Sequence, residues 1–576
     1  HRIGPSGLYT WLGIEGLNLK DAGGTAKWYP DKGFFWWRST RIPSNWDIKE
    51  YPFFSMLLGD LHPHYMVMPF SLMGIAVAHQ FLRLGGRLDA RWCLRNWGVF
   101  LLTAVVIGGL AFLNAWSFPP LLALVAVVAF IANWRANQGA LWPALKDSAS
   151  FVVPLAVASF LLYLPFYVTA SGAVWPLKPL AATKRDFLPL YHEVTHPKHL
   201  LLSWGAFLWL AFGLGVAVVG WRWLARQGSR AAWALLPAAI PIAVWVIWSA
   251  ARLGGSGFWD ELDVRGFVPH SQFPWFGPNL LTLALLSGVI GVLTLALVRT
   301  LTEEVEAGES LLIALAVLVL ATLLILGTEL FYVSDHVGQN AAQVGVSREN
   351  TVFKLWHHAW LFFAVGGAFA LHYLLRRLPP LRWPVPLPEA SRLAWVSVAV
   401  VLIAAGFVLP VTATFNRTSG FTQHQSLDGL GFLKTFQRDE YDAVLWFRQN
   451  VPGSPVILEA TDNPFTEGGR FSSRTGLPTI LEWPLHEEGY RGPDAREMLR
   501  GRLGDVERAY KSTTVADAEA VIEKYNVQYV VVGHFEREKY ADGVDKFQQF
   551  LKVAYQNPSV TIYRVPELAP GLVRAP

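Results

Sequence analysis

Ten stretches of about twenty mostly apolar residues run through this chain, and they limit its fold more than any other feature. A helix needs roughly 20 such residues to cross about 30 Å of hydrocarbon. In lipid only helices and closed barrels satisfy every backbone polar group. The stretches lie near 64–84, 97–115, 118–134, 150–168, 199–221, 231–251, 278–298, 310–328, 355–375 and 392–413. Only NAWSFPP separates the second from the third, which reads as a tight turn between antiparallel helices. Composition agrees. Hydrophobic residues make up 53% of the chain and charged residues 16%, whereas soluble domains carry about a quarter charged residues. The sequence thus predicts an α-helical polytopic membrane bundle of about ten transmembrane helices over 64–414. An outer-side loop over 1–63 leads into it, and a C-terminal soluble α/β domain over 436–576 follows it. Residue 1 is His rather than Met and the first residues are not a signal peptide, so further spans are expected upstream.

Charge in the short loops orients the bundle. Arg83, Arg87, Arg91 and Arg95 follow the first span, Arg135 and Lys146 the third, and Arg222, Arg226 and Arg230 the fifth. Arg376, Arg377, Arg382 and Arg392 lie between the ninth and tenth. If the spans alternate, these loops share one face, and basic short loops mark the cytoplasmic side. The loop 299–309 adds Arg299 among Glu303, Glu304, Glu306 and Glu309, and 169–198 carries some Lys and Arg on the other face. The balance predicts a multi-pass protein of the cell membrane with its C-terminal domain extracytoplasmic. The net charge of +5 is dispersed among these loops and forms no patch, so nucleic acid is excluded as a partner. The single cysteine, Cys93, allows no intrachain disulfide.

The tail alternates helical and strand patterns. EYDAVLWFRQN repeats apolar residues on one helical face, and ADAEAVIEKYN reads as a second helix. SPVILEA, LPTILEW, VQYVVVG and SVTIYRV read as short strands. Strands alternating with helices point to an α/β domain.

Several segments can carry chemistry. In EYPFFSMLLGDLHPHYMVMPF, from Glu50 to Phe70, the residues Asp60, His62 and His64 stand at the outer mouth of the first span. A carboxylate beside imidazoles can shift pKa values and pass protons, and these three groups can also anchor a divalent cation. The structural alternative is Asp60 as an N-cap, with Pro63 opening the helix. The second segment places Glu329 and Asp335 at the end of the eighth span and Arg348, Asn350, Lys354, His357 and His358 at the start of the ninth. Ionisable residues at membrane depth are functional candidates, and Arg348 and Lys354 suit a phosphate; ordinary loop charge and snorkelling are the alternative. Third, Asn114, Trp116 and Ser117 fill the NAWSFPP turn, where a structural role weighs more. The aromatic, acidic loop 252–277 suits either a sugar or an interfacial belt. Fourth, the tail segment 468–492 concentrates Arg470, Arg474, Trp483 and His486, either facing a ligand or docking the tail. No P-loop, GxSxG, CxxC or zinc-helix motif occurs, which argues against a nucleotide-driven pump, a serine hydrolase and a zincin.

YPFFSMLLGDLHPH, ENTVFKLWHHAW, GSPVILEA and GRFSSRTGLPTILEWPLHEEGYRG together resemble a family of uncharacterised prokaryotic membrane proteins, the YYY family of Chlorobi and archaeal type. DVERAYKSTTVADAEAVIEKYNVQYVVVGHFERE looks like that family's tail. The family's turn reads Asn-x-Trp-Asp, and Ser117 in the fourth position here weighs against a catalytic role for it. In layout the family is similar to the GT-C class of membrane glycosyltransferases, and DLHPH looks like the His-Pro-Pro approach to a span in protein O-mannosyltransferases. The resemblance implies a transferase at the outer leaflet that takes its sugar from a polyprenyl-phosphate donor in the membrane lipid and gives it to a glycan or protein acceptor. It implies Asp60, His62 and His64 as acid/base or metal-anchoring groups, with Glu329 and Asp335 lining the same cavity. Glu50, Asn114, Arg348, Asn350 and Lys354 would bind substrate, as would Arg470, Arg474, Trp483 and His486. Two other readings stand beside it: a transporter or flippase of a polar or lipid-linked substrate, which calls for ionisable residues inside the spans, and a non-catalytic envelope assembly subunit.

Overall fold

The computed structural model describes residues 35–41, 49–169, 187–189, 194–227, 236, 238–243, 247, 276–303, 308–333, 349–377, 389–422, 427–464, 466–491 and 495–566. The chain forms two compact units whose main boundary falls between residues 423 and 424.

The first unit is helical. A short helix α1 (Pro52–Leu58) and one turn α2 (Pro63–Met66) lead into α3 (Met68–Leu84). Then come α4 (Trp97–Leu113), α5 (Phe118–Ala136), α6 (Leu141–Leu162), α7 (Pro197–Val219), α8 (Phe276–Thr302), α9 (Gly308–Leu330), α10 (Glu349–Arg377) and α11 (Glu389–Arg417). Among the described residues, eight helical stretches are long and apolar enough to cross a membrane, and α4, with 17 residues, is a shorter apolar helix. This is a polytopic helical membrane protein. The stretch expected at 231–251 lies largely outside the described residues.

Prolines open several helices. Pro63 and Pro197 stand in the first turns of α2 and α7, where a missing N–H costs nothing. Of the eight spans, α9 is the most enclosed and α11 the least. Close approach needs glycine at two interfaces. A Cβ on Gly366 would lie 2.6 Å from Leu318 Cγ, and one on Gly215 2.6 Å from Val292 Cγ1. Small residues of this kind let membrane helices pack backbone to backbone.

One expected span is displaced. The apolar window predicted 150–168, but α6 runs Leu141–Leu162. Lys146 and Asp147, read as loop, lie inside it. Asp147 is buried and tolerated because Arg87 Nη2 donates to it at 2.8 Å and Asn137 Nδ2 at 2.9 Å. Beside it, buried Asn133 accepts from Leu88 N–H and donates to Leu88 O, both at 2.8 Å.

The helix ends sort into two sets, as the charge pattern requires. At the basic end Arg135 meets Glu309 at 3.5 Å, Arg226 meets Glu303 at 3.6 Å, and Arg299 meets Glu303 at 3.2 Å. The acidic loop that weakened the charge argument thus neutralises arginines of its neighbours. The opposite end holds the starts of α3, α5, α7 and α10 with the end of α9, joined by contacts described below. There an antiparallel pair, β1 (Phe187–Pro189) with β2 (Phe331–Val333), was not apparent in the sequence.

The second unit contains a four-stranded sheet in the order β3–β4–β6–β5, made of β3 (Val456–Leu458), β4 (Val527–Val532), β5 (Lys552–Gln556) and β6 (Thr561–Arg564). β3 and β4 are parallel, and the other pairs antiparallel. Helices α12 (Arg438–Asn450), α13 (Arg470–Thr475), α14 (Pro484–Arg491), α15 (Arg496–Lys511), α16 (Val515–Lys524) and α17 (His534–Tyr540) accompany it. LPTILEW does not form a strand. Ile457 pairs with Thr479 by a single bridge, after which the chain turns into α14. β5, half-exposed along its length, was missed because its apolar pattern is weak.

Candidate functional site

The DLHPH segment folds as a reversal between two helices. Gly59 ends α1 with φ +79°, a left-handed conformation that glycine adopts without strain. The chain then passes Asp60 and Leu61 and re-enters a helix at Pro63. His62, not Asp60, occupies the N-cap position of α2, and it makes no side-chain cap. The N-cap reading of Asp60 is therefore wrong. Asp60 Oδ2 instead accepts from His62 Nδ1 at 2.8 Å, both side chains being partly exposed. A carboxylate can only accept here, so Nδ1 carries the proton and Nε2 is left as the basic nitrogen of neutral His62.

His64 turns the other way, into the bundle, and is fully buried. Its Nε2 lies 3.3 Å from Ser55 Oγ and 3.7 Å from Glu50 Oε2. Its ring sits 4.6 Å from those of His62, Phe353 and His357. α10 supplies the opposite wall. Phe353, His357 and Trp360 recur at helical spacing, and Lys354 Nζ lies 4.3 Å over the Phe353 ring. His357 is buried, and neither of its ring nitrogens makes a well-formed hydrogen bond among the described residues; nor does His64 Nδ1. His358, also buried, donates from Nδ1 to Lys354 O at 2.7 Å, so its Nε2 accepts from Ser117 Oγ–H at 2.8 Å.

Glu50, Asp60, His62, His64 and Lys354 are thus brought together. Asn114 stands three residues from Ser117 in the NAWSFPP turn, buried, with Nδ2 lacking a partner among the described residues. The turn that read as structural therefore packs its Ser117 against the site. Glu329 is anchored elsewhere. Thr195 N–H donates to its Oε2 at 2.7 Å and Thr195 Oγ1 to its Oε1 at 2.8 Å, tying α9 to the start of α7. Asp335 and Arg348 lie outside the described residues, and so does the side chain of Asn350. Ser55 was missed as a site member, and Ser117 was read as part of a structural turn. His357 and His358 were visible as an intramembrane pair, yet nothing local indicated which face each would present.

These groups do not assemble a cation site. Among the described residues no three His, Cys, Asp or Glu side chains converge as ligands. The Nδ1 of His62 is committed to Asp60, and His64 faces a serine.

The four tail candidates belong to the second unit. Arg470 lies buried, not on an open loop: it donates from Nε to Glu440 Oε1 at 2.6 Å and from Nη1 and Nη2 to Glu536 at 2.9 and 2.7 Å. Arg474 Nη1 donates to Glu440 Oε2 at 2.8 Å. Glu459 accepts from Phe471 N–H at 2.7 Å and Ser472 N–H at 2.8 Å, and its burial pushes its carboxyl up to about 7 against those bonds. The arginines therefore hold α12, α13 and α17 together. Trp483 and His486 make an edge-on ring contact at 5.6 Å at the start of α14.

Residues 6–363 match the model of a family described as uncharacterised membrane protein, DUF2298, and the chain belongs to that family. The match covers α1 to α9 and the histidines of α10. No curated protein matches the chain.

Proposed function

We propose that this member of the DUF2298 family is a membrane-embedded transferase with a GT-C-like layout of about ten spans, which moves a sugar from a polyprenyl-phosphate donor to an acceptor hydroxyl at the outer face. The observation that carries the reading is the Asp60–His62 pair, reachable from solvent at the mouth of the bundle beside the buried His64 and His357. Asp60 orients His62, whose Nε2 takes the proton from the acceptor hydroxyl. The freed oxygen attacks the anomeric carbon of the donor. The bond from that carbon to the phosphate oxygen breaks, and the phosphate leaves with the electron pair. Glu50 and Ser55 position His64 behind His62. Lys354 stands at the same wall, where its charge favours the departing phosphate. In this reading the basic loops face the cytoplasm, and the second unit is a soluble domain outside.

The test is transfer. The full-length protein is reconstituted with radiolabelled polyprenyl-phosphate hexoses and a membrane extract. Label should reach an acceptor, and Asp60→Asn and His62→Gln should each lower the rate about 100-fold or more, the usual contribution of a general base. Full transfer by both variants would overturn the assignment. A second reading, proton-coupled transport, gains from one observation. His64, His357 and His358 are buried within the bundle, where ionisable groups often form relays. It predicts substrate uptake into proteoliposomes driven by a pH gradient and abolished by His357→Gln.

A further inference from the structure

Lys49 immediately precedes the site residue Glu50 but points elsewhere. Glu50 meets His64, whereas Lys49 donates to Ser203 Oγ on α7. Lys49 is only 3% exposed, and among the described residues no carboxylate lies within ion-pairing distance of it. A buried ammonium with one neutral hydroxyl partner is strongly disfavoured. Burial alone pushes this amine down to about 7. Its surroundings hold further polar groups with unused hydrogen-bonding capacity. His199 stands one turn before Ser203 on the same face of α7, and its Nδ1 is buried without a partner among the described residues. Trp204, wholly buried beside Ser203, leaves its Nε1 unpartnered too, and its ring packs 4.9 Å from that of Trp360 on the site wall. The first turn of α7 brings in the positive end of a 23-residue helix. A buried lysine with no counter-charge among the described residues, beside groups with unused hydrogen-bonding capacity, describes a place for an anion.

We propose that Lys49, with Ser203 and His199 of α7, binds the phosphate group of the substrate. This rests on the transferase reading for the identity of the phosphate carrier, but not for the anion site itself. It adds to Lys354, which the sequence favoured, a lysine the sequence did not single out.

The experiment measures binding, not turnover. Full-length protein in detergent is titrated with a polyprenyl phosphate, the corresponding polyprenol and inorganic phosphate, in wild type, Lys49→Met and Ser203→Ala. Polyprenyl phosphate should raise the melting temperature. Lys49→Met should weaken its binding at least tenfold and Ser203→Ala severalfold, with polyprenol binding unchanged. Met replaces the lysine stem and removes the buried amine, so this variant should melt at or above wild type without ligand. Inorganic phosphate that binds with the same Lys49 dependence supports the site and identifies a free phosphate as sufficient; binding of the lipid form alone supports it and identifies a lipid headgroup. Wild-type affinity of Lys49→Met for polyprenyl phosphate overturns the proposal. Lys49-dependent binding without any sugar transfer would remove the transferase reading and leave the anion site. Transfer by Lys49→Met with an unchanged donor KM would do the reverse.

Discussion

Replacing Arg470 by Met tests whether the tail is organised around a buried charge cluster. The arginine is 3% exposed, Glu440 2% and Glu536 fully buried. Arg470→Met removes three charge-assisted bonds of 2.6, 2.9 and 2.7 Å. Breaking a buried ion pair from one side costs about 3–5 kcal/mol, because the partner charge stays behind. Here part of that loss is offset. Glu536 keeps the backbone donors Gly533 N–H at 2.8 Å and Ala460 N–H at 3.1 Å, and Glu440 keeps Arg474 at 2.8 Å. The cost should therefore fall in the lower half of the range, about 3–4 kcal/mol. For a unit of roughly 150 residues that corresponds to a melting shift of about 10 °C. The assay is limited proteolysis of the full-length protein along a temperature ramp, scoring peptides from 436–566 by mass spectrometry. A triple variant, Arg470→Met with Glu440→Gln and Glu536→Gln, leaves no stranded carboxylate and should recover at least half the loss. A shift below about 2 °C for Arg470→Met alone would refute the reasoning, since desolvated carboxylates without their partner cannot be that cheap.

Two further outcomes follow from the geometry. Glu459 titrates higher in the fold than in the unfolded chain, so its contribution to stability is complete below the ordinary carboxylate range and is lost as pH rises through about 7. The tail should melt lower at pH 8 than at pH 5, and Glu459→Gln should flatten that slope; a melting point that rises over this interval would contradict the burial argument. Glu536, held below its usual range by Arg470 despite burial, acts in a separate acid window, its stabilisation fading only as pH falls. At the basic end of the bundle, Asn133→Leu strands Leu88 N–H and C=O, each now bonded at 2.8 Å, and should cost about 2–3 kcal/mol in thermal unfolding of the detergent-solubilised protein.

What the sequence made legible was whatever local chemistry determines. Uninterrupted apolar length marked most helices, and loop arginines marked which ends belong together, because both signals act over about one span. α6 was misplaced for the same reason. A window centred on hydrophobicity skips Lys146 and Asp147, and Asp147 is acceptable inside a helix because of Asn137 and a partner 60 residues away, Arg87. The tail arginines were visible as an unusual cluster, but their meaning was not. Glu536 lies 66 residues from Arg470 and reads in isolation as an exposed helix residue. At the site, DLHPH stood out by composition alone, while Ser117 and His358, 241 residues apart, became partners only through packing of α5 and α10.

Long-range pairing also separates the two kinds of charge in this chain. Where a buried charge helps hold the fold together, as at Asp147, Glu329 and Arg470, the structure supplies a matched donor or acceptor set from a distant segment. Around His64 and Lys49 that rule fails. His357 and His64 keep nitrogens without well-formed bonds, and Lys49 has one hydroxyl and no counter-charge among the described residues. Natural folds rarely leave buried polar groups unsatisfied without a reason. Among the described residues the unpartnered nitrogens of His64, Asn114, His199 and His357 lie at the end of the bundle that holds the starts of α3, α5, α7 and α10, which is also where the partly exposed Asp60–His62 pair opens to solvent. Unpartnered imidazole nitrogens and a buried lysine without a counter-charge, beside an accessible acid–base pair, suit a polar, phosphate-bearing ligand, and they are the physical reason to look for that ligand there rather than among the arginines of the tail, whose charges are already paired.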